Sequence, residues 1–373
     1  MGTLPLQKSK IDLGGNDKFR EYGRQRQIKH FETEEFLEYR RQWFECPEKM
    51  IVPEYPLNLD IHVTNRCNLR CPFCPRTWKD LGGHYDEYGL MSMELYKRII
   101  DEGVPHGIKA IQLTADGEPL LHPKLEEMIA YAREAGVIDI IVHTSAASLT
   151  EKRSRKLLDA GFHRLAISFD SPDKETYEKL RVGAKFEKTL ENIKTFVRLR
   201  DEGGYELPTV RVQMVDQKIN MHQRDDFDKL FMDIADTVGH IYYIDYFGGP
   251  QTYLDTSKLG VNDFKVGKSK LKQDFKCSYL WQRLIIQWDG EVFPCFYGDT
   301  LLDKGKGKDL LLGNANDISI HDIWHGQAMK QLRQLHSAGK FTCNKTCKDC
   351  GRQYDTYEDE LPKDDWNGIG GVG

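Results

Sequence analysis

The sequence predicts an α/β protein, a partial (β/α)6 barrel followed by a small cysteine-rich domain, and three observations carry that expectation. From residue 57 to residue 247, short apolar, β-branched runs alternate with amphipathic helical segments. Six such units fill about 190 residues, whereas a closed eight-unit barrel typically takes ~250. Cysteines stand at 46, 67, 71, 74, 277, 295, 343, 347 and 350, one group just behind the first strand and another far downstream.

Residues 1–50 form a charged N-terminal extension. Its basic run (Lys18, Arg20, Arg24, Arg26 and Lys29, interrupted by Glu21) reads as a solvated helix face, because no aromatic stacking ladder accompanies it. Residues 33–45 suit a helix with Phe36, Leu37, Trp43 and Phe44 turned inward and Cys46 as a buried thiol. The barrel is expected over 51–250, with strands at 57–63, 108–114, 137–143, 164–169, 209–215 and 240–246. Pro123 opens a helix carrying Leu125, Met128, Ile129 and Ala132 at i, i+3, i+4, i+7, and Gly136 follows its end. Thr150 caps the next helix with Gly161 beyond it, and Leu190, Ile193 and Val197 mark the stripe of another. Helices between parallel strands make βαβ units.

Residues 251–353 form the second domain, entered through the Gly- and Lys-rich passage 248–276. The Gly-Lys alternation at 304–308 lacks the G-x4-G-K-[ST] phosphate-loop spacing and reads as a hairpin tip. Residues 354–373 are acidic and glycine-ended, a loosely ordered tail.

Composition excludes several classes of function. Of 373 residues, 53 are Lys or Arg and 58 are Asp or Glu, a formal charge of -5. Such a balance gives no basic field for nucleic acid or anionic lipid. No apolar run approaches the ~20 residues that span a bilayer, and the first residues lack the apolar core of a signal peptide. The expectation is a cytoplasmic protein without membrane contact. Nine cysteines in such a chain read as metal ligands or catalytic groups before disulfides.

Cys67, Cys71 and Cys74 have C-x3-C-x2-C spacing directly after Leu57–Val63, and chemistry on a parallel sheet gathers at the C-terminal ends of its strands. Three thiolates on a cubane iron–sulfur cluster leave one iron open. A three-ligand zinc site and plain structural cysteines are the alternatives. Downstream, Trp281–Trp288, a turn at Asp289-Gly290 and Glu291–Pro294 make a hairpin that brings Cys277 and Cys295 together. With the C-x2-C pair Cys347 and Cys350 they close a four-thiolate site, for which zinc is again the alternative.

The C-x3-C-x2-C run, with Phe73 just before its last cysteine, resembles the signature of radical S-adenosylmethionine (radical SAM) enzymes. The resemblance implies that the amino and carboxylate groups of SAM occupy the open iron of a [4Fe–4S] cluster. The reduced cluster would then split SAM, and a 5′-deoxyadenosyl radical would take a substrate hydrogen, with an external one-electron reductant such as flavodoxin or ferredoxin. It also implies the partial-barrel architecture. Gly117, Glu118 and Pro119 match the family's Gly-Gly-Glu-Pro, with Asp116 in place of the first glycine. Asp116 would add a second carboxylate near the SAM ammonium or point away, while Glu118 would meet the ammonium. Ser168 and Arg181 match positions near the SAM carboxylate, and Phe73 would pack on adenine. Pairing with a nearby Asp or Glu on the helix surface is the other role open to Arg181, and support of the cysteine loop the other role open to Phe73.

C-x12-G-x4-C followed by C-x2-C resembles the SPASM/twitch extension of these enzymes in its single-cluster form. Gly313-Asn314 and Ile320–Arg333 with Trp324 resemble its linking helix. By that resemblance Cys277, Cys295, Cys347 and Cys350 hold an auxiliary [4Fe–4S] cluster, and Cys343 is a spare thiol, with replacement of one of the four as its other role. The spacing is most similar to that of sugar-modifying dehydrogenases that oxidise 2-deoxy-scyllo-inosamine. A fully ligated cluster still accepts an electron, so the expectation is oxidation of a secondary alcohol in a sugar or aminocyclitol. Epimerisation, with Cys343 or Cys46 as hydrogen donor, and modification of a ribosomally made peptide are the alternatives. His62, His143 and Asp170 lie near strand ends, but none stands out as the general base.

Overall fold

The computed structural model describes residues 7–8, 19–23, 28–74, 77, 88–114, 117–217, 219–242, 268–271, 275–296, 308–348, 350 and 354–357. Two short strands open the chain, β1 (Gln7–Lys8) and β2 (Phe19–Gly23), followed by helix α1 (Glu34–Lys49). Then β3 (Asn58–His62), α2 (Met93–Gly103), β4 (Ala110–Thr114), α3 (Leu125–Glu134), β5 (Asp139–Thr144), α4 (Glu151–Ala160) and β6 (Arg164–Ser168) alternate strictly. Helices α5 (Lys174–Leu180) and α6 (Phe186–Glu202), β7 (Thr209–Asp216), α7 (Arg224–Phe231) and β8 (Thr237–Tyr242) complete the six units. Strands β3 to β8 lie parallel in chain order, as expected of an open (β/α)6 barrel.

Local chemistry explains the element ends. The Thr150 hydroxyl accepts from Arg153 N at 3.3 Å and caps α4. Gly161 follows in the left-handed region (φ 75°), where glycine carries no Cβ penalty. Leu125, Met128, Ile129 and Ala132 are fully buried beneath α3, as their spacing predicts.

Both edges of the barrel sheet are extended, and neither extension was legible beforehand. At one edge β2 pairs antiparallel with β8. Residues 19–23 are thus a strand, not the solvated helix face expected of the basic run, because an uncovered edge strand leaves unpaired backbone groups. At the other edge β10 (Arg283–Ile286) lies parallel to β3, and the hairpin partner β11 (Glu291–Phe293) and β12 (Gly313–Asn314) continue outward. The C-terminal part therefore shares one sheet with the barrel across the sequence boundary at 250/251.

Helix α1 buries Phe36, Tyr39, Trp43 and Cys46, whereas Leu37 and Phe44 are 56% and 47% exposed. The inward stripe runs i, i+3, i+7, i+10, and Leu37 and Phe44 each sit one residue, about 100°, past it. The linking helix is two helices, α8 (Ile320–His325) and α9 (Gln327–Ser337), broken at Gly326. A Cβ at Gly326 would stand 2.9 Å from Asp322 O. Helix α10 (Lys345–Lys348) follows. In the expected tail, Tyr354–Tyr357 instead forms a strand, β13, antiparallel to β9 (Lys268–Leu271). The hairpin tip expected at 304–308 and most of the passage 248–276 lie outside the described residues. Among the described residues, no helix is long and apolar enough to cross a membrane.

Candidate radical and auxiliary-cluster sites

The cysteine loop leaves the C-terminal end of β3 and is tied down from three sides. Thr64 Oγ1 donates to Gly89 O at 2.7 Å, and Gly89 N donates to Asn65 Oδ1 at 2.8 Å. Arg70 N donates to Val182 O at 2.8 Å, on the turn after α5, and Glu118 N to Arg66 O at 2.7 Å. That last bond makes Gly117 obligatory: a Cβ there would lie 2.3 Å from Arg66 O. Cys71 is buried and Cys67 and Cys74 are half-buried. Burial pushes the Cys71 thiol up, the neighbouring Arg181 opposes that, and the Cys67 sulfur adds to it.

The side chains expected around SAM fall into distinct places. The Glu118 carboxylate is buried and accepts from Thr144 Oγ1 (2.6 Å), Ser145 N (2.8 Å), Ser145 Oγ (2.7 Å) and Leu120 N (3.2 Å). It faces into the protein and anchors the exit of β5, so an ammonium would have to share oxygens already held by four donors. Arg181 Nε lies 2.5 Å from Asp170 Oδ2, its Nη1 lies 3.8 Å from Cys71 Sγ, and its guanidinium stands 5.3 Å from the Phe73 ring centre. Its carboxylate partner is thus the fully buried Asp170, not a helix-surface group. Ser168 ends β6, half-buried. Asp116 lies outside the described residues. The sequence reading missed Asp170 as an anchor: its Oδ1 accepts from Val215 N at 3.0 Å and its carbonyl from Asn220 Nδ2 at 2.7 Å.

Cys277, Cys295, Cys347 and Cys350 line one cavity with apolar walls that include Leu280 and Phe296. Burial, then the sulfurs of Cys295, Cys277 and Cys350, drive the Cys347 thiol far above its ordinary range. Four thiols crowded into an apolar pocket need a strongly cationic occupant to hold them as thiolates. An iron–sulfur cluster fits that donor set. Cys343 is exposed and is not among the lining residues. Phe296, on the cavity wall, stacks on His62 at 5.5 Å and so connects the cavity to the end of β3.

The barrel interior carries a polar set. Asp60 and Arg283, 223 positions apart, pair at 3.0 Å, and Asn58 Nδ2 donates to Asp60 Oδ1 at 2.7 Å. His143 is pushed down to about 4, first by burial, with Asp60 opposing and Arg211 and Arg283 reinforcing the shift. The Arg211 guanidinium occupies the space across from Gly239, where a Cβ would lie 2.7 Å from its Nη2. Gln213 is buried beside Ser168 in register.

The radical SAM superfamily model matches residues 61–226, and the SPASM model, an iron–sulfur cluster-binding domain, matches residues 277–351. The chain carries a radical SAM domain followed by a SPASM domain. Its cofactors are those of that pair: SAM, the [4Fe–4S] cluster that binds it, and auxiliary iron–sulfur coordination. The radical SAM chain is 25% identical over 322 residues to a tungsten-containing aldehyde ferredoxin oxidoreductase cofactor-modifying protein of Pyrococcus furiosus, covering 78% of this chain and 86% of that one. It is 31% identical over 140 residues to a probable GTP 3′,8-cyclase of Methanococcus maripaludis, 37% of this chain and 45% of the cyclase. Among solved structures, SuiB of Streptococcus suis bound to SAM overlays with a TM-score of 0.56 at 16% identity, covering 85% of this chain and 76% of SuiB. BtrN in complex with AdoMet and 2-DOIA overlays at 0.47 with 18% identity, covering 80% and 94%.

Proposed function

We propose that this radical SAM enzyme oxidises a secondary alcohol of a small, hydroxyl-bearing molecule, a sugar or cyclitol, held inside the barrel. The observation that carries the reading is the polar lining formed by Asp60, His143, Arg211, Gln213 and Arg283. Barrel interiors that serve only as core are filled by branched apolar side chains. A few polar groups set into a site fix the orientation of a bound small molecule, and a polyol offers both donors and acceptors to them.

When bound, SAM and its cluster supply a 5′-deoxyadenosyl radical that takes a substrate hydrogen, and the auxiliary cluster supplies an electron acceptor. Cys67, Cys71 and Cys74 hold the first, and Cys277, Cys295, Cys347 and Cys350 the second. Gly117 lets the backbone of the Gly-Glu-Pro turn press against the cysteine loop. Arg181, fixed by Asp170, presents its remaining donors beside Cys71. His143 is neutral above about pH 4, so its imidazole accepts a hydrogen bond from a substrate hydroxyl and holds it in place for oxidation. The apolar walls around Cys277 and Cys347 keep water and substrate off the auxiliary site.

The relative from Pyrococcus furiosus, matched over most of both lengths, favours a second reading, modification of the cofactor of an oxidoreductase. Epimerisation has less support, since Cys343 is exposed and Cys46 lies on the buried face of α1. Peptide modification rests on likeness of fold alone. Anaerobic turnover with reductant, across cyclitols, aminosugars and an oxidoreductase cofactor, tests the proposal. A carbonyl product formed together with 5′-deoxyadenosine is expected; consumption of substrate without oxidation overturns it.

A further inference from the structure

Away from all nine cysteines, Glu54, His321 and His325 bring one ligand atom each within 4.8 Å of one another. We propose that they form a divalent transition-metal site, for zinc, that clasps α8 to the segment leading into β3.

The two histidines are i and i+4 on α8 and therefore share a face. Their ring centres are 4.7 Å apart. His321 Nε2 stands 3.2 Å from Glu54 Oε1, and His325 Nε2 stands 2.9 Å from the Glu54 carbonyl. Zinc bonds of 2.0–2.1 Å in a tetrahedron separate neighbouring ligand atoms by about 3.4 Å. One pair stands near that spacing at 3.2 Å, and the other ligand atoms, within 4.8 Å, approach it by side-chain rotation.

The backbone on both sides is fixed without any metal. The buried Trp324 donates Nε1 to Pro53 O at 2.9 Å, one residue before Glu54, and His321 N donates to Glu102 Oε1 at 2.9 Å. The His321 ring is held as well. It stacks on His106 at 4.5 Å and 18°, and His106 stacks on Tyr55 at 5.6 Å and 6°. His106 Nδ1 also lies 3.6 Å from Glu54 Oε1 and helps to hold the carboxylate. Ligands held by such outer partners bind metal more tightly. Two imidazoles and a carboxylate form a borderline donor set, which zinc accepts and which differs from the all-thiolate sites. Three protein ligands leave the fourth position to water.

The location gives the metal a mechanical role. Glu54 precedes β3, whose end carries Cys67, Cys71 and Cys74. Helix α8 leads into α9, whose Leu332 and His336 border the auxiliary cavity. A metal at this point joins the supports of the two cofactor sites.

The test uses anaerobically reconstituted holoenzyme, stripped of loose metal and titrated calorimetrically with Zn2+ while its iron content is followed. One zinc per chain, bound without loss of iron, is expected, together with a higher melting temperature. Loss of a ligand costs at least what loss of an outer partner costs, so the H321A/H325A double variant should bind at least ~100-fold more weakly. Glu54→Gln, at a side chain 71% exposed, should weaken binding in the same direction and serves if the double variant does not fold. Absence of binding to the native holoenzyme, displacement of iron, or equal affinity in the variants each overturns the proposal.

Discussion

Arg181 and Asp170 form a buried ion pair, with Nε 2.5 Å from Oδ2 and only 11% and 0% of the two side chains exposed. It fixes a cation beside the Cys71 sulfur. Removing one partner strands the other charge out of water, which costs about 3–5 kcal/mol. Asp170→Ala should therefore lower unfolding stability by that order, read by anaerobic urea denaturation. A D170A/R181M double variant should recover much of the loss while remaining unable to bind SAM tightly.

Gly117 touches the cysteine loop through its missing side chain. Gly117→Ala places a methyl 2.3 Å from Arg66 O and 2.8 Å from Arg66 N, both backbone atoms. Overpacking of this kind costs about 1–3 kcal/mol. The expected outcome is a displaced loop, seen as reduced SAM affinity and loss of the SAM-binding cluster's iron with the auxiliary cluster retained.

The two cysteine groups should separate cleanly. Cys347→Ala removes a ligand from the cavity and should cost the auxiliary cluster, about four irons per chain by its cubane type. Cys343→Ala should keep its full iron content and its activity. Iron analysis and electron paramagnetic resonance of the two variants read the difference. Loss of iron from the Cys343 variant would show that the exposed thiol is a ligand.

His143 is expected to hydrogen-bond the substrate hydroxyl. His143→Ala removes that partner, at about 1–3 kcal/mol, and should lower kcat/KM by about 10–100-fold, with both clusters intact and SAM binding unchanged. Unimpaired turnover would place the substrate hydroxyl elsewhere.

Burial, then His30, pushes His163 from 6.5 down to about 3. Its Nδ1 accepts from Ile140 N at 2.9 Å, a bond that protonation destroys. The folded pKa lies below the unfolded one, so the contribution to stability is intact above pH 6.5 and is lost as the pH falls toward 3. Unfolding in that window should take up a proton at this site. His163→Gln should reduce the proton uptake by one, measured as the slope of stability against pH.

How far the fold was legible depended on the reach of each interaction. The stripe Leu125, Met128, Ile129, Ala132 and the cap at Thr150 act within one or two helical turns, and both stand where their spacing puts them. Leu37 and Phe44 are apolar yet exposed, because apolar character does not define a helix face until the partner surface is known. The basic run around Arg20 looks like a solvent face by composition. Its strand pairing depends on β8, more than two hundred positions away.

The amino-acid sequence alone determined the cysteine spacings, the strand–helix alternation and, through them, the cluster chemistry, since ligand spacing and hydrophobic period are local properties of the chain. Tertiary structure decided that β10 lies beside β3, that Glu118 turns inward, and that Asp60 meets Arg283 next to His143. Those facts concern groups brought together from distant positions. Their positions follow from burial and charge pairing summed over the whole molecule, and no short segment encodes that sum.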